Sequence, residues 1–234
     1  MKVDRSLVRH VPLFDKMADD QLDRLLAHAV SRRAPQGSQV FKQGQPARSF
    51  YLLLHGHLKV MQVTSDGQQI IVRVVHPGDL FGFAIALQRS DYPGTAVAAA
   101  DSVMLAWPSD LWPSFVEHIP SLAVSAMQTV GQRLEEAHTR IREMSTEEVE
   151  RRVAHTVLRL VDKAGLHEKR GIRINFPISR QDIAEMTGTT LHTVSRIFSA
   201  WEAKGLVEGG RQKLLVLDVV GLAALADSTR RETD

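Results

Sequence analysis

The sequence contains no cysteine among its 234 residues. Disulfides, thiolate zinc sites, cysteine-ligated iron–sulfur clusters and thiol redox switches are therefore excluded. No apolar run approaches the roughly 18 residues that cross a bilayer. The opening segment, MKVDRSLVRHVPLF, lacks the apolar stretch of a secretory signal. We expect a cytoplasmic protein with no membrane partner.

Motifs of common enzyme classes are also missing, since the chain has no P-loop, nucleophile elbow or HExxH sequence. The nearest signal is His55-Gly56-His57, because an HxH pair on a β-roll strand can ligate a metal in cupin-type oxygenases. Such a site needs a carboxylate or a third histidine shortly afterwards, whereas Met61 stands there and Gly56 is typical of a turn. We predict no catalytic residues and no metal site, with a cupin-like metal enzyme as the alternative.

Charge is nearly balanced, with a formal net charge of +2, so composition alone does not indicate a nucleic-acid partner. Its distribution is uneven. Residues 169–213 contain eight Lys and Arg against four Asp and Glu, while residues 1–144 contain fifteen against fourteen. A basic excess confined to one segment is what an electrostatic footprint on DNA would show, although a solvated basic surface gives the same pattern.

The N-terminal half changes in character after residue 33. Residues 4–33 carry leucines at helical spacing after an acidic start and are predicted to be helical. Between residues 39 and 107, short β-rich runs alternate with Gly and Pro turns, including the hairpin signal Asp66-Gly67. This spacing predicts an antiparallel sandwich or jelly roll.

A second helix is predicted after Pro120, with a strict heptad pattern. A stripe of two apolar positions in seven is narrower than the apolar face of a helix that packs on a domain core, which favours a coiled coil between identical subunits. A helix packed on a domain core is the alternative. After the heptads, Ser145 and Glu148 are predicted to cap a new helix, and this junction is a candidate hinge. The predicted dimer seam comprises Ala123, Met127, Val130, Leu134, Ala137, Ile141 and Met144.

The strongest local signal is ISRQDIAEMTGTTLHTVSRIFSAWEAKGLV, residues 178–207. Ser179 and Asp182 match a capping box at the start of a short helix, and Gly188 supplies the tight turn of a helix-turn-helix. The buried stripe of the second helix is predicted to be Val194, Ile197, Phe198 and Trp201. That burial places four residues on the outward face near the helix N-terminus, where a recognition helix meets base edges: Leu191, His192, Ser195 and Arg196.

Each outward residue has a plausible base contact. Arg196 can donate two hydrogen bonds to guanine N7 and O6, Leu191 can meet a thymine methyl, and His192 and Ser195 can bond base edges. A Gly-Gly turn at residues 209–210 predicts a wing. The predicted phosphate contacts are Ser179, Arg180, Gln181, Thr190, Arg211 and Lys213. The alternative is a helical corner that contacts only protein.

Together these features resemble the cyclic-AMP receptor protein and fumarate–nitrate regulator (CRP/FNR) family of bacterial transcription factors. The resemblance runs through the PGDLFG turn at residues 77–82, the heptad helix and SRQDIAEMTGTTLHTVSRI. It implies an α+β fold with three parts: a double-stranded β-helix (jelly-roll) sensor domain at residues 1–119, a dimerisation helix at 120–144, and a winged helix-turn-helix at 145–234.

For function, the resemblance implies a homodimer that binds double-stranded DNA at an inverted repeat of TTG-type half-sites. It also implies RNA polymerase as a partner if the chain activates transcription. The family's recognition helix carries Glu, then Ser or Gly, then Arg. Ser195 and Arg196 match, whereas His192 occupies the Glu position and leaves the fourth base of the half-site undefined.

The resemblance also bears on the effector. In cyclic-nucleotide members, a Glu after the Gly of this turn holds the ribose, and an Arg in a later R-[ST]-A motif holds the phosphate. Phe83 occupies the first position, and Pro93 or Gly94 the second. Because a buried phosphate needs a cationic partner, we do not expect a cyclic nucleotide. A cyclic-nucleotide-responsive or ligand-independent regulator is the alternative.

The apolar turn and the Tyr92-Pro93 pair are instead similar to the nitric-oxide- and nitrite-responsive subgroup that regulates denitrification and senses nitric oxide through haem. We therefore expect an effector pocket at Phe83, Tyr92 and Pro93, and haem as the cofactor. Without cysteine, the axial ligand would be His, Met or Tyr. His10 is the chosen candidate, and the others are His55, His57 and His76.

Overall fold

The computed structural model describes residues 4–14 and 17–228. The chain divides into two compact units, the first formed by residues 1–67 and 72–136 and the second by residues 68–71 and 137–234. The division falls inside a long helix, between Glu136 and Ala137. None of the helices within the described ranges is long and apolar enough to cross a lipid bilayer.

The first unit is a β-sandwich flanked by helices. The strands of the sandwich are β1 Val30–Ala34, β2 Gln39–Phe41, β3 Ser49–His55, β4 Leu58–Val63, β5 Gln69–Val75, β6 Leu80–Phe81, β7 Thr95–Ala98 and β8 Ser102–Pro108. The division between the units falls within β5, after residue 71. The helices of the first unit are α1 Asp19–Ala27, α2 Trp112–His118 and the beginning of α3, Pro120–Thr146. Short 3-10 turns occupy Arg5–Leu7, Pro12–Phe14, Ala84–Leu87 and Ser109–Leu111.

Two four-stranded sheets make up the sandwich, in the orders β1-β8-β3-β6 and β2-β7-β4-β5. The registered pairs are antiparallel, as between β3 and β8 and between β4 and β7. Gly56 forms the turn between β3 and β4 at a φ of 85°, which is the left-handed region that glycine adopts without strain. The predicted antiparallel sandwich is therefore confirmed, and Gly56 is a turn residue.

The central strand β3 is buried on both faces. Successive side chains of a strand point to opposite faces, and here Phe50 and Leu52 join the core shared with the helices while Tyr51 and Leu53 join the core between the sheets. Its sequence SFYLLLH is accordingly a continuous apolar run and does not alternate. On the helical side, Trp107 Nε1 donates to the carbonyl oxygen of Leu25 at 2.8 Å.

The prediction of helix over residues 4–33 is only partly right. Helix α1 ends at Ala27, and Val30–Ala34 forms strand β1, which pairs with β8 at the edge of its sheet. Four of its five residues are exposed, so this strand has no apolar alternation from which it could be recognised.

As far as residue 228, the second unit combines the end of α3 and four further helices with a small sheet. The helices after α3 are α4 Val149–Ala164, α5 Arg180–Thr187, α6 Leu191–Ala203 and α7 Val219–Asp227. The strands are β9 Gly165–Glu168, β10 Gly171–Ile174, β11 Val207–Gly210 and β12 Lys213–Val216, in the order β11-β12-β10-β9. Trp201 is fully buried, and its Nε1 donates to Glu150 Oε1 at 2.8 Å, which joins α6 to α4.

Helix α3 keeps most of the predicted seam in contact with solvent. The exposed fractions are 74% for Met127, 56% for Leu134, 62% for Ile141 and 58% for Met144. The core of the first unit is instead contacted by Leu122 and Ala126, with Val130 packed partly against it. The alternative of a seam that faces the chain's own core is therefore wrong for these four residues.

The predicted capping box after the seam is also wrong. Helix α3 continues through Ser145, whose hydroxyl donates to the carbonyl oxygen of Ile141 at 2.8 Å. The N-cap of α4 is Glu148, without a side-chain capping bond. Because a serine hydroxyl can satisfy a carbonyl one turn earlier in its own helix, the helix runs on to Thr146.

Candidate nucleic-acid interface

The first helix of the interface, α5, begins at the predicted capping box. Ser179 Oγ accepts a hydrogen bond from the backbone amide of Asp182 at 3.1 Å, and the Asp182 carboxylate accepts one from the Ser179 amide at 2.7 Å. These reciprocal bonds satisfy two amides that a helix N-terminus otherwise leaves unpaired. The start of α5 is thus fixed by its local sequence.

Gly188 makes the turn between α5 and α6. Its φ of 63° is left-handed, and its amide donates to the carbonyl oxygen of Ala184. A Cβ at this position would also lie 3.1 Å from Met144 Cε. Glycine is therefore favoured here both by backbone conformation and by space.

The N-cap of helix α6 is Thr190. The Thr190 hydroxyl accepts from the Thr193 amide at 3.1 Å. The predicted stripe is confirmed, since all four of its residues are buried: Val194, Ile197, Phe198 and Trp201. Two of its rings, Phe198 and Trp201, stack with centroids 5.5 Å apart.

Burial of that stripe turns the predicted base-contacting residues outward. Leu191, His192 and Arg196 are exposed, and Ser195 is half-buried. Within residues 4–14 and 17–228, no side chain forms an ion pair with Arg196. Its guanidinium therefore keeps its donors for an outside acceptor, at the helix end that can enter a major groove.

The residues predicted to contact phosphates have different surroundings. The Ser179 hydroxyl is engaged in the capping box, and Gln181 Nε2 donates to Glu185 Oε1 at 2.9 Å. Arg180 Nη2 donates to Glu202 Oε1 at 2.9 Å. The partner Glu202 was not foreseen, because it follows Arg180 by 22 residues and lies on another helix.

A wing lies beside these helices, as predicted, but its turn is different. Gly209 and Gly210 belong to strand β11, and the turn is formed by Arg211 and Gln212, with Gln212 at a φ of 58°. The amide of Ile178 donates to the carbonyl oxygen of Gln212 at 3.2 Å, which ties the turn to the segment before α5. The predicted phosphate ligands Arg211 and Lys213 are exposed at this tip.

The residues assigned to an effector pocket have different surroundings. Phe83 is buried in the core shared with the helices, whereas Tyr92 is buried between the sheets and stacks on Phe41 with ring centroids 3.9 Å apart. Tyr92 Oη also donates to the Ser49 carbonyl at 2.7 Å, and burial raises its pKa. Pro93 is exposed.

The candidate histidines of the first unit differ in exposure. The predicted haem ligand His10 is exposed. His57 is buried, and its ring centroid lies 5.3 Å from that of His76 in an edge-to-face arrangement. In the part of the chain that the structure describes, no three His, Asp or Glu side chains are grouped as metal ligands would be.

Two family models match this sequence. The model for a cyclic nucleotide-binding domain matches residues 31–118, and that for a Crp-like helix-turn-helix domain matches residues 151–225. The two matches correspond to the sandwich with α2 and to the region from α4 to α7, and together they cover more than half of the chain.

Similar proteins extend over nearly the full length. The chain is 28% identical over 215 residues to the cyclic AMP receptor protein of Thermus thermophilus, covering 92% of this chain and 96% of that protein. It is 25% identical over 217 residues to the transcriptional activator protein FnrA of Stutzerimonas stutzeri, covering 92% and 88%. The solved structure of FixK2 from Bradyrhizobium japonicum has the same fold, with a TM-score of 0.75, 21% identity and coverage of 86% and 98%.

A β-sandwich followed by a long helix and a winged helix-turn-helix is the architecture of a regulator that binds DNA through its C-terminal unit. With both family models matched in this order, the chain belongs to the CRP/FNR family and is a DNA-binding transcription regulator.

Proposed function

We propose that this regulator binds DNA as a homodimer held together by the seam of α3. The exposed line of Met127, Leu134 and Ile141 supports this. Covering apolar side chains at heptad spacing with a second copy of the helix removes their surface from water and stabilises the dimer. A dimer with two-fold symmetry presents two recognition helices to the DNA. Its operator is therefore an inverted repeat with half-sites about 34 Å apart, one turn of the duplex.

The observation that carries this proposal is the orientation of α6. Burial of Val194 and Trp201 turns Arg196 outward, with its guanidinium free of ion pairs within the described residues. Arg196 would donate hydrogen bonds to guanine N7 and O6 of a TTG-type half-site, and Leu191 would make an apolar contact with a thymine methyl. His192 would form a hydrogen bond with the undefined fourth base of the half-site.

Selection from a random duplex library tests base reading directly. The wild-type protein should enrich an inverted repeat that contains a guanine in each half-site. Arg196→Ala should lose about 2–6 kcal/mol of its preference for the enriched duplex over a scrambled duplex, since each of the two bidentate contacts in a dimer discriminates by about 1–3 kcal/mol. Lys204→Ala, which removes the same charge at the exposed C-cap of α6, should preserve discrimination. Unchanged discrimination in Arg196→Ala would refute the assignment.

We further propose that the effector acts on the sandwich unit and is not a cyclic nucleotide. Phe83 is buried in the apolar core, and Pro93 is an exposed residue with no charge to offer a phosphate. Nitric oxide bound through haem is the effector that the sequence resemblance suggests. Only an effector with different affinities for two arrangements of the dimer can switch DNA binding.

Haem at His10 stays a prediction. An absorption spectrum of the anaerobic protein with added haem, and then with nitric oxide, tests it. A Soret band that shifts in the wild type but is lost in His10→Ala would support the prediction. A band that is unchanged in His10→Ala would assign the ligand elsewhere.

A cyclic-nucleotide-responsive regulator is the second candidate. It is favoured by the match of residues 31–118 to a cyclic nucleotide-binding domain and by the similarity to the cyclic AMP receptor protein of Thermus thermophilus. Against it stands the absence of a charged side chain at residues 83, 93 and 94. RNA polymerase is the expected partner if the regulator is an activator.

A further inference from the structure

Three elements of the DNA-binding unit meet at the side chain of Arg180. Arg180 is the first residue of α5, and its Nη2 donates to Glu202 Oε1 of α6 at 2.9 Å. Its guanidinium carbon also lies 5.6 Å from the centroid of the Phe198 ring, within cation–π distance. The two charged side chains are each about one third exposed, 34% for Arg180 and 33% for Glu202, so the pair lies at the surface.

The third element is the wing. A Cβ on Gly209 of β11 would lie 2.5 Å from Glu202 Oε1 and 3.4 Å from Arg180 Nη2. Since real Cβ atoms essentially never approach an atom that closely, any side chain at this position would displace the carboxylate. The next residue, Gly210, has no such constraint, because its Cβ would meet only Lys213 Cβ at 3.6 Å.

We propose that Glu202 is a positioning residue of the DNA interface, which orients Arg180 toward a phosphate and sets the wing against α6, with Gly209 providing the space. The inference rests on the proposed contact of this surface with DNA. A guanidinium has five N–H donors, and the hydrogen bond to Glu202 uses one of them. The remaining donors can bond phosphate oxygens while the ion pair and the Phe198 ring restrict the side chain's rotamers, so less entropy is lost on binding.

Electrostatics alone makes the opposite prediction. A carboxylate close to the phosphate backbone repels DNA, so its removal should tighten binding if Glu202 acts only through its charge. The sign of the effect of Glu202→Gln therefore separates the two accounts. Glu208→Gln is the matched control, because Glu208 is an exposed carboxylate on β11, next to Gly209, and it pairs with Arg170 at 2.6 Å and not with Arg180.

The test is fluorescence anisotropy of the full-length protein on its selected operator and on a scrambled duplex, between about 50 and 200 mM salt. Glu202→Gln should weaken binding to both duplexes by roughly threefold to tenfold, and it should make the slope of log K against log salt concentration shallower by about two, one phosphate contact for each subunit. Glu208→Gln should leave affinity unchanged or slightly raised. Glu202→Gln binding as tightly as Glu208→Gln would overturn the proposal.

Two further variants identify the route of the effect. Arg180→Ala should produce the same loss, and adding Glu202→Gln to it should cause no further loss, because both act on one contact. Additive losses would show that Glu202 does not act through Arg180. Gly209→Ala should reproduce the weakening, whereas Gly210→Ala should not. Thermal unfolding of each variant shows whether a loss of affinity reflects a loss of folding. If Gly209→Ala does not fold, the affinity of Glu202→Gln decides the proposal.

Arg196→Ala distinguishes this inference from the proposal on which it rests. If Arg196→Ala loses operator preference while Glu202→Gln matches Glu208→Gln, only the positioning role is wrong. If Arg196→Ala binds the operator as the wild type does, then α6 does not face the bases and the proposed function fails as well.

Discussion

The guanidinium of Arg133 lies over the ring of Phe83, with 4.5 Å between the guanidinium carbon and the ring centroid. Arg133 Nη2 also donates to the carbonyl oxygen of Leu80 at 2.6 Å. Burial, and then the neighbouring charge of Arg73, lower the pKa of Arg133 from 12.5 to about 9, so the side chain remains charged at neutral pH. An arginine of α3 thus contacts both ends of the turn from Leu80 to Phe83. Phe83 occupies the position at which cyclic-nucleotide regulators carry Glu.

Replacing Arg133 tests how much this contact stabilises the sandwich unit. Arg133→Ala should lower the free energy of unfolding by about 2 kcal/mol, because it removes the packing of the aliphatic stem together with the hydrogen bond and the cation–π contact, and these losses exceed the cost of burying the charge that the lowered pKa reflects. Arg142→Ala, at an exposed position of the same helix, should change it by less than about 0.5 kcal/mol. Urea unfolding followed by the fluorescence of the buried Trp107 and Trp112 measures both. Equal stabilities would show that desolvation cancels the contact.

His57 makes the stability of the same unit depend on pH. Burial, and then the nearby His76 and His55, lower the pKa of His57 from 6.5 to about 4. Between these values the unfolded chain binds a proton that the folded chain does not, so the contribution is fully present above pH 6.5 and is lost as the pH falls toward 4. Integrating over that window predicts a loss of about 2 kcal/mol between about pH 7 and pH 5.

A substitution that cannot titrate separates His57 from the other ionisable groups. His57→Gln should show a flatter dependence of unfolding free energy on pH than the wild type, over the same interval. His10→Gln, at an exposed position, should retain the wild-type slope. A wild-type slope in His57→Gln would show that His57 takes up its proton equally well in the folded chain.

Much of the DNA-binding unit follows from local sequence. The capping box at Ser179, the left-handed turn at Gly188 and the cap at Thr190 each depend on residues within one helical turn. The outward position of Arg196 then follows from the spacing of the buried stripe alone. Patterns of this kind need no knowledge of which elements later pack together.

Features that depend on tertiary contacts were not predictable in the same way. Arg180 has a carboxylate partner only because α5 and α6 pack together, and the wing turn moved from Gly209-Gly210 to Arg211-Gln212 because β11 pairs with β12 up to Gly210. Phe83 and Tyr92, only nine residues apart in the chain, lie in different cores. The effector pocket expected from the family resemblance stays a prediction.

Cyclic AMP should not bind to this regulator with measurable heat. The buried Phe83 offers no acceptor for a ribose hydroxyl, and the exposed Pro93 offers no cation for a phosphate. Isothermal titration calorimetry of the purified dimer should give only heats of dilution, and operator affinity should be the same with and without the nucleotide. A micromolar isotherm would establish the cyclic-nucleotide alternative and show that other residues supply both anchors.

A charge in the seam of α3 should separate the subunits. Leu134 is 56% exposed in the single chain, and in a dimer it would be covered by the partner helix. An unpaired carboxylate buried at that position would cost several kcal/mol of dimer stability. Leu134→Glu should therefore sediment as a monomer and lose operator binding, because one recognition helix cannot span both half-sites. Gln132→Glu adds the same charge at an exposed position outside the heptad seam and should remain dimeric. A dimeric Leu134→Glu would mean that another surface joins the subunits, and the spacing of the half-sites would then have to follow from that surface.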